Sequence, residues 1–195
     1  MATVSVAAGP PRRGSAPVPF PTRAAVQADV PALVALVNSA YRGDSSRAGW
    51  TTEADLLGGL RIDEARLTSS IAAGDNVILL HEDAGAIVAC VHLQRTGDAC
   101  YLGMLTVKPT RQSKGLGRTM IESAEARAVE HWQSRHMNMT VIMQRTELVA
   151  WYERRGYART GELKPFPYGD QRWGEPTRPD LAFHVMRKTL AGRRV

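Results

Sequence analysis

The sequence has few cysteines and no long apolar run. Its 195 residues include two cysteines, Cys90 and Cys100, and these form no Cys-x-x-Cys pair or Cys/His spacing of the kind that binds zinc. Both lie in apolar runs, so they are either a disulfide between neighbouring strands or two buried free thiols, and free thiols would favour a reducing compartment. No apolar run approaches the roughly 18 residues of a membrane helix, and Val4–Ala8 is too short for a signal-peptide core. We expect a cytoplasmic protein without a metal or a membrane span.

The composition is that of an ordinary globular domain with a basic balance. Hydrophobic residues make up 44% and charged residues 23% of the chain, and the formal net charge is +6. A basic protein can bind nucleic acid, an acidic membrane surface or a small anion. The arginines are spread along the chain without a long basic run or interleaved aromatic residues, so the sequence favours a small anionic ligand over nucleic acid.

The N-terminal half predicts a tail, two helices and a meander of three strands. Residues 1–21 are rich in Pro, Ala, Gly and Ser and predict a flexible tail, followed by one domain over residues 22–195. A short strand at residues 23–25 precedes a helix capped by Asp29, and Asp63 caps a second helix. Strands at residues 77–80, 86–93 and 99–107 are separated by short turns, which indicates antiparallel pairing.

The C-terminal half predicts a long helix between two strands that run in parallel. Leu116, Met120, Ala124, Ala128 and Trp132 repeat every four residues, as on one buried helix face. A strand at 138–142 follows, and strand, crossover helix and strand imply a parallel pair. A short helix from Thr146 through Arg155, a strand from Tyr157, an irregular loop over 161–179 and a closing strand at 181–186 complete a mixed α+β sheet.

The stretch from Arg111 to Arg118 is the candidate binding motif. It follows the apolar run at residues 101–107 and precedes the long helix, whose first amide hydrogens have no partner within the helix and favour an anion. Gly115 and Gly117 let a ligand approach the backbone closely because they have no Cβ. The spacing is not that of a Walker A loop, and the third glycine of a dinucleotide fingerprint is missing. We interpret the turn as a pyrophosphate site.

Gln112-Ser113-Lys114-Gly115-Leu116-Gly117 resembles the Gln/Arg-x-x-Gly-x-Gly/Ala signature of the GNAT superfamily of acyl-CoA-dependent N-acetyltransferases. The later Tyr152–Tyr157 segment resembles the family's Tyr-x-x-x-Gly-Phe/Tyr block, and the likeness covers about residues 22–190. It implies a mixed, mostly antiparallel central sheet flanked by helices, with one parallel strand pair splayed at the coenzyme site.

The resemblance also implies residues that bind acetyl-CoA, which serves as a cosubstrate. The pantetheine arm would pair with the strand backbone around Thr106, and the diphosphate would lie on the amides of the glycine turn. The implied coenzyme-binding residues are Leu105, Thr106, Val107, Gln112, Ser113, Lys114, Gly115, Leu116, Gly117 and Arg118.

For the chemistry, the resemblance implies Tyr152 as the general acid for the leaving thiolate and the backbone amide of Leu105 as the oxyanion donor. Many relatives carry a glutamate on the strand before the turn, but residues 101–104 contain none. His92 on the neighbouring strand is the best substitute base because histidine titrates near neutrality. His184, Glu53, Asp55 and a chain of waters are the alternatives. A second departure is Arg145, which occupies the position of an asparagine that contacts pantetheine in many relatives.

These features predict an N-acetyltransferase that moves an acetyl group from acetyl-CoA to a primary amine by direct transfer through a ternary complex. A small-molecule amine is favoured over a protein acceptor, and the loops at 42–59 and 161–179 would determine its identity. Two alternatives stay open: a catalytically silent acyl-CoA sensor or regulatory module on the same fold, and a nucleic-acid binder. Homodimers are common in the family, but no feature of this sequence specifies an interface.

Overall fold

The computed structural model describes residues 21–191, so all of the predicted tail except Pro21 lies outside the described residues. One seven-stranded sheet has the order β1-β3-β4-β5-β6-β9-β7, and β2 and β8 form a separate two-stranded ribbon. The strands are β1 (Arg23–Ala24), β2 (Leu57–Gly58), β3 (Asn76–Asp83), β4 (Ala86–Thr96), β5 (Ala99–Val107), β6 (His136–Ile142), β7 (Ala158–Pro165), β8 (Glu175–Pro176) and β9 (Ala182–Thr189). The helices are α1 (Val30–Tyr41), α2 (Gly43–Ser46), α3 (Glu64–Ala72), α4 (Leu116–Trp132) and α5 (Thr146–Glu153).

The sheet lies between two layers of helices, and alternate residues of its strands face opposite layers. Val91 and Leu93 belong to the larger core cluster, which includes the α4 residues Met120 and Ala124. Cys90, next to Val91 on β4, belongs to the cluster formed with α1 and α3. Because side chains of a strand alternate between its faces, one strand supplies both cores. This arrangement confirms the predicted α+β architecture.

β5 and β6 form the single parallel pair among the described strands, and they separate along their length. Their paired residues are Ala99 to Tyr101 with His136 to Asn138. β5 then continues to Val107 and β6 to Ile142 without further pairing between them. On its other edge β5 remains paired with β4 up to Val107. A gap therefore opens between the C-terminal ends of the two parallel strands, as the family resemblance implies.

A β-bulge changes the direction of the C-terminal end of β5. The register between β4 and β5 shifts between Cys90 and His92, and Met104, on the opposite strand, has φ 50°. A non-glycine residue in this left-handed region is uncommon and marks local backbone strain. Bulges bend the strand that carries them and change the direction of the residues that follow. Here those residues are Leu105 to Val107, which border the gap.

Three predicted details need correction. The segment after Gly161 is not wholly irregular, because β7 continues through it to Pro165 and pairs with β9. A further part of the predicted loop, β8, pairs with β2. α5 ends at Glu153 rather than Arg155, and Arg145 rather than Thr146 occupies its N-cap position. By contrast, Asp63 caps α3 as predicted, since its carboxylate accepts a hydrogen bond from the Arg66 amide.

Candidate active site

The turn before α4 presents a row of free backbone amides. Gly115 occupies the N-cap position with φ 81°, and no side chain caps the helix. Ser113 also has positive φ, at 65°. Within residues 21–191, no protein acceptor bonds the amides of residues 113–118, and the Thr119 amide is the first to donate inside the helix, to Gly115. Amides that converge in this way at a positive helix end form an anion site.

The two glycines of the turn have different roles. A Cβ on Gly115 would meet nothing within 4 Å, so glycine is needed there for its positive φ. A Cβ on Gly117 would lie 3.6 Å from the Trp151 ring and 3.7 Å from Val107. Gly117 therefore keeps open the passage between α4, α5 and the end of β5.

A cleft of ≈ 610 Å³ runs from this turn into the gap beside β5, and its volume suits a small ligand. Its walls include Ser113, Gly115, Gly117 and Arg118 from the turn. Other lining residues are Leu105, Val107, Arg145, Trp151, Tyr152, Arg154 and Arg155. The turn and the gap, which were predicted to act together, are thus two ends of one space.

Two of the arginines of the motif before α4 are paired with acidic side chains. Arg111 forms an ion pair with Asp83 at 2.7 Å, and Arg118 pairs with Glu122 at 2.8 Å. Arg155 stacks on the Trp151 ring at 3.4 Å and donates to the Trp151 carbonyl. Arg118, Arg154 and Arg155 also border an adjoining surface hollow. Positive charge at the cleft therefore comes from Arg154 and Arg155, which follow α5, as well as from the glycine motif.

The end of β5 directs the backbone of two residues into the gap. The Lys108 amide donates to the Val88 carbonyl on β4, and backbone groups alternate in direction along a strand. The backbone groups of Leu105 and Val107 therefore face away from β4. Their carbonyls already accept hydrogen bonds, from the Tyr41 hydroxyl at 2.5 Å and from the Gln112 side chain at 3.0 Å. Their amides remain available for a ligand.

Gln112 connects a loop to the strand instead of pointing at the turn. Its side-chain nitrogen donates to the Val107 carbonyl and to the Thr51 hydroxyl at 2.9 Å, and its oxygen accepts from the Trp50 amide at 3.0 Å. Trp50 lies 5.7 Å from Trp151, ring to ring, across the cleft. The predicted coenzyme-binding glutamine thus positions the loop that borders the cleft.

Tyr152 lies where this cleft meets a second cavity of ≈ 380 Å³, whose lining includes residues of both β5 and β6. Five residues line both spaces: Tyr41, Leu105, Arg145, Leu148 and Tyr152. Burial raises the pKa of the Tyr152 phenol well above its ordinary value, and the neighbouring Tyr41 adds to the rise. The phenol is therefore protonated at neutral pH and able to donate a proton.

His92 lines the second cavity. One ring nitrogen lies 3.2 Å from the Asn76 side-chain oxygen, which indicates that this nitrogen carries a proton in the neutral ring. Burial lowers the pKa of His92 below its ordinary value, and the positive charge of Arg61 lowers it further. The other ring nitrogen is then free to accept a proton at neutral pH.

Glu53, one of the weaker base candidates, belongs to a buried ion-pair network. Its carboxylate pairs with Arg42 and, at 3.0 Å, with Arg145, which also donates to the Thr51 carbonyl. Burial alone would raise the pKa of Glu53, but the charges of Arg145, Arg61 and Arg42 outweigh it, so the pKa lies below the ordinary value. A carboxylate held in this way is a poor base. The network also shows what Arg145 contacts in place of the expected asparagine.

Most of the predicted site residues border one or both of these spaces. Leu105 and Tyr152 border both, His92 borders the second, and the first is bordered by Val107, Gln112, Ser113, Gly115, Gly117 and Arg118. The side chains of Thr106, Lys114 and Leu116 line neither; Thr106 is fully buried and Leu116 packs in the core. For the buried Thr106 and Leu116 only the backbone remains as a ligand group.

Sequence reasoning missed the roles of Tyr41 and Arg61. The Tyr41 hydroxyl bonds the Leu105 carbonyl, and the Arg61 guanidinium lies 5.6 Å from the centre of the Tyr41 ring. Tyr41 and Leu105 are separated by 64 positions in the sequence. No local pattern signals such a contact.

Within residues 21–191, no group of three or more His, Cys, Asp or Glu residues is arranged to hold a metal ion. No helix in the described part of the chain is long and apolar enough to cross a membrane. Cys90 and Cys100 are free and buried, as expected for the second of the two alternatives.

Comparison with known proteins finds a family model that matches the chain and solved structures with a similar fold. The family model described as an acetyltransferase (GNAT) domain matches residues 57–166. Similar solved structures include the ribosomal-protein-S18-alanine N-acetyltransferase from Escherichia coli, at 17% identity and TM-score 0.64, with 90% of this chain and 97% of that chain covered. A ribosomal-protein-alanine N-acetyltransferase from Brucella melitensis is 20% identical, with TM-score 0.64 and coverage of 88% and 100%. A spermidine/spermine N-acetyltransferase from Vibrio cholerae is 17% identical, with TM-score 0.61 and coverage of 87% and 92%. No curated protein matches the chain by sequence.

Proposed function

The chain belongs to the GNAT acetyltransferase family, and from this premise we propose that it is an N-acetyltransferase that moves an acetyl group from acetyl-CoA to a primary amine. Transfer is direct, in a ternary complex, and a small molecule is the favoured acceptor. One observation carries the proposal: the cleft that starts at the free amides of α4 meets a second cavity at Leu105 and Tyr152. A cosubstrate and an acceptor can therefore approach one point from two different spaces.

The coenzyme half of the proposal uses backbone groups. The amides of Ser113 to Gly117 bind the diphosphate, because they are free and lie at the positive end of α4. The amides of Leu105 and Val107 pair with the pantetheine arm, which takes the place of a strand in the gap. Arg118 adds charge at the mouth of the cleft.

Acetyl transfer then requires the following changes at the junction. The neutral amine nitrogen bonds to the thioester carbonyl carbon, and the negative charge on the carbonyl oxygen is stabilised by the Leu105 amide. The carbon–sulfur bond breaks as the carbonyl re-forms, and the leaving sulfur takes the proton of the Tyr152 hydroxyl. The proton that the amine loses restores the phenol through solvent. The products are an N-acetylated amine and free coenzyme A.

His92 prepares the amine by accepting the proton of its ammonium form. Its position in the second cavity and its lowered pKa support this role, because the ring is neutral at physiological pH. Bound water extends its reach if the acceptor is not in direct contact. Glu53 takes no part as a base, since Arg42 and Arg145 already hold it.

The alternative of a silent acyl-CoA sensor makes a different prediction. A sensor needs the first cleft but not a second cavity that opens at the same tyrosine. Acetyl-CoA should raise the melting temperature of an enzyme and of a sensor alike, because a ligand that binds only the native state stabilises it. Release of free thiol from acetyl-CoA upon addition of an amine occurs only with the enzyme.

Tyr152→Phe tests the chemical step. It removes the phenol oxygen and keeps the ring in the core, so acetyl-CoA should still raise the melting temperature. Thiol release should fall by about 10²-fold, the size of a general-acid contribution. Tyr168→Phe is the matched control, because it removes a phenol oxygen outside both cavities. Equal turnover by wild type and Tyr152→Phe would exclude the acid role, and the absence of both a thermal shift and turnover would exclude the proposed function.

A further inference from the structure

The second cavity carries far more positive than negative charge. Four arginines line it, Arg42, Arg61, Arg66 and Arg145, against a single carboxylate, Glu53. Glu53 is already paired with Arg42 and Arg145. The positive charge of Arg61 and Arg66 is therefore in excess on the acceptor side of the transfer point.

Neither of these two arginines has a carboxylate partner in the described part of the chain. The Arg61 guanidinium lies over the Tyr41 ring and forms no ion pair. Arg66 donates to the Arg172 backbone carbonyl at 2.7 Å. The nearest acids are otherwise engaged: the Asp63 carboxylate caps α3 and Asp170 pairs with Arg172 at 2.6 Å.

The contacts of Arg61 connect this charge to the reaction centre. The Tyr41 ring beneath its guanidinium ends in the hydroxyl that bonds the Leu105 carbonyl. The charge of Arg61 also lowers the pKa of His92 and of Glu53. Arg61 thus acts on the same small volume that a reacting amine must enter, close to the proposed base and oxyanion donor.

We propose that the acceptor is a primary amine that also bears a carboxylate, and that Arg61, assisted by Arg66, binds this carboxylate. The inference rests on the proposed function and specifies its substrate class. An arginine fork matches the two oxygens of a carboxylate and binds it more strongly than a neutral amide. The same excess positive charge repels a polycation, so spermidine is a poor acceptor for this chain. It also favours the neutral form of the bound amine, which is the nucleophile.

The apolar part of the cavity wall suggests the probes. Leu57, Ile62, Met104, Trp173 and Phe183 line it together with the arginines. We therefore choose L-methionine and L-phenylalanine, each compared with its carboxamide, and spermidine as the cationic probe. Converting the carboxylate to an amide makes the amine less basic, so chemistry alone favours the amide. A preference for the free acid must then come from recognition of the carboxylate.

The experiment measures thiol release from saturating acetyl-CoA for each probe. Wild type should show kcat/KM at least tenfold higher for the acid than for the matching amide. Arg61→Gln should lower kcat/KM for the acid at least tenfold more than for the matching amide, mostly through KM, because the effect of Arg61 on the pKa of His92 acts on both substrates alike. Arg95→Gln removes the same charge from an exposed position outside both cavities and should leave both values unchanged.

Two results would overturn the inference: amides or spermidine that match or exceed the acids in wild type, or an acid preference that survives in Arg61→Gln. In either case amine-dependent turnover itself would still support the proposed function. If no probe turns over, the test is the affinity of each probe for the protein saturated with coenzyme A. Tryptophan fluorescence reports this binding, because Trp173 lines the cavity. Tighter binding of the acid that is lost in Arg61→Gln supports the carboxylate site, and equal binding of acid and amide refutes it.

Discussion

Glu53→Gln should destabilise the protein strongly, although Glu53 lies outside the proposed chemistry. The side chains of Arg42, Glu53 and Arg145 are 5%, 9% and 10% exposed, so all three charges are largely removed from water. The glutamine keeps the size of the side chain but leaves two buried guanidinium groups without a counter-charge. Removing one partner of a buried ion pair costs about 3–5 kcal/mol, whereas an exposed pair contributes about 0–1 kcal/mol.

Urea and thermal denaturation measure this loss. For a protein of this length, about 2–4 °C per kcal/mol implies a fall in melting temperature of about 6–20 °C. Glu162→Gln is the control, because Glu162 is an exposed carboxylate 3.8 Å from Lys164, with 58% of its side chain accessible. Its melting temperature should change little.

The pH dependence provides an independent check. The pKa of Glu53 is depressed in the folded protein, so its stabilising contribution is present above the ordinary pKa of 4.5 and is lost as pH falls through the lower folded value. The difference in unfolding free energy between wild type and Glu53→Gln should therefore be large at pH 7 and shrink below about pH 4. A loss no greater than that of Glu162→Gln, or a difference that does not change with pH, would refute the buried-network reasoning.

Three further predictions concern other parts of the site and core. Because the pKa of His92 is lowered, kcat/KM should stay constant down to pH values below about 6.5 and then fall as the ring gains a proton. His92→Gln should lower the constant value of kcat/KM and abolish its fall at acidic pH. Gly117→Ala should leave the melting temperature unchanged or slightly higher, since alanine favours a helix. The added Cβ, 3.6 Å from Trp151, should weaken the rise in melting temperature that acetyl-CoA causes. An undiminished rise would show that Gly117 is not part of the binding site. Burial raises the pKa of Cys90 and of Cys100 to about 12. Iodoacetamide should therefore label neither cysteine in the native protein and both in urea, as counted by mass spectrometry. Rapid labelling of the native protein would contradict their burial.

Local patterns in the sequence predicted most of the fold. The four-residue repeat from Leu116 identified α4, and its place between two apolar runs predicted the parallel join of β5 and β6. Such patterns succeed because helix periodicity and strand alternation are read from neighbouring residues. The pattern failed at Gly161, where a glycine inside β7 was interpreted as the start of a loop. Gly161, with φ 87°, lies at a shift in register between two parts of β7 that both pair with β9. That pairing is a contact between distant segments.

The sequence by itself determined a site of free backbone amides before α4, because a glycine turn at the start of a helix exposes such amides whatever surrounds it. Only the tertiary structure decided what happens next to it. It placed the Tyr41 hydroxyl on the Leu105 carbonyl, assigned Glu53 to two buried arginines, and left Arg61 without an ion pair among residues 21–191. These are side-chain contacts between segments far apart in the chain. Their partners are chosen by packing and burial, which local sequence does not encode.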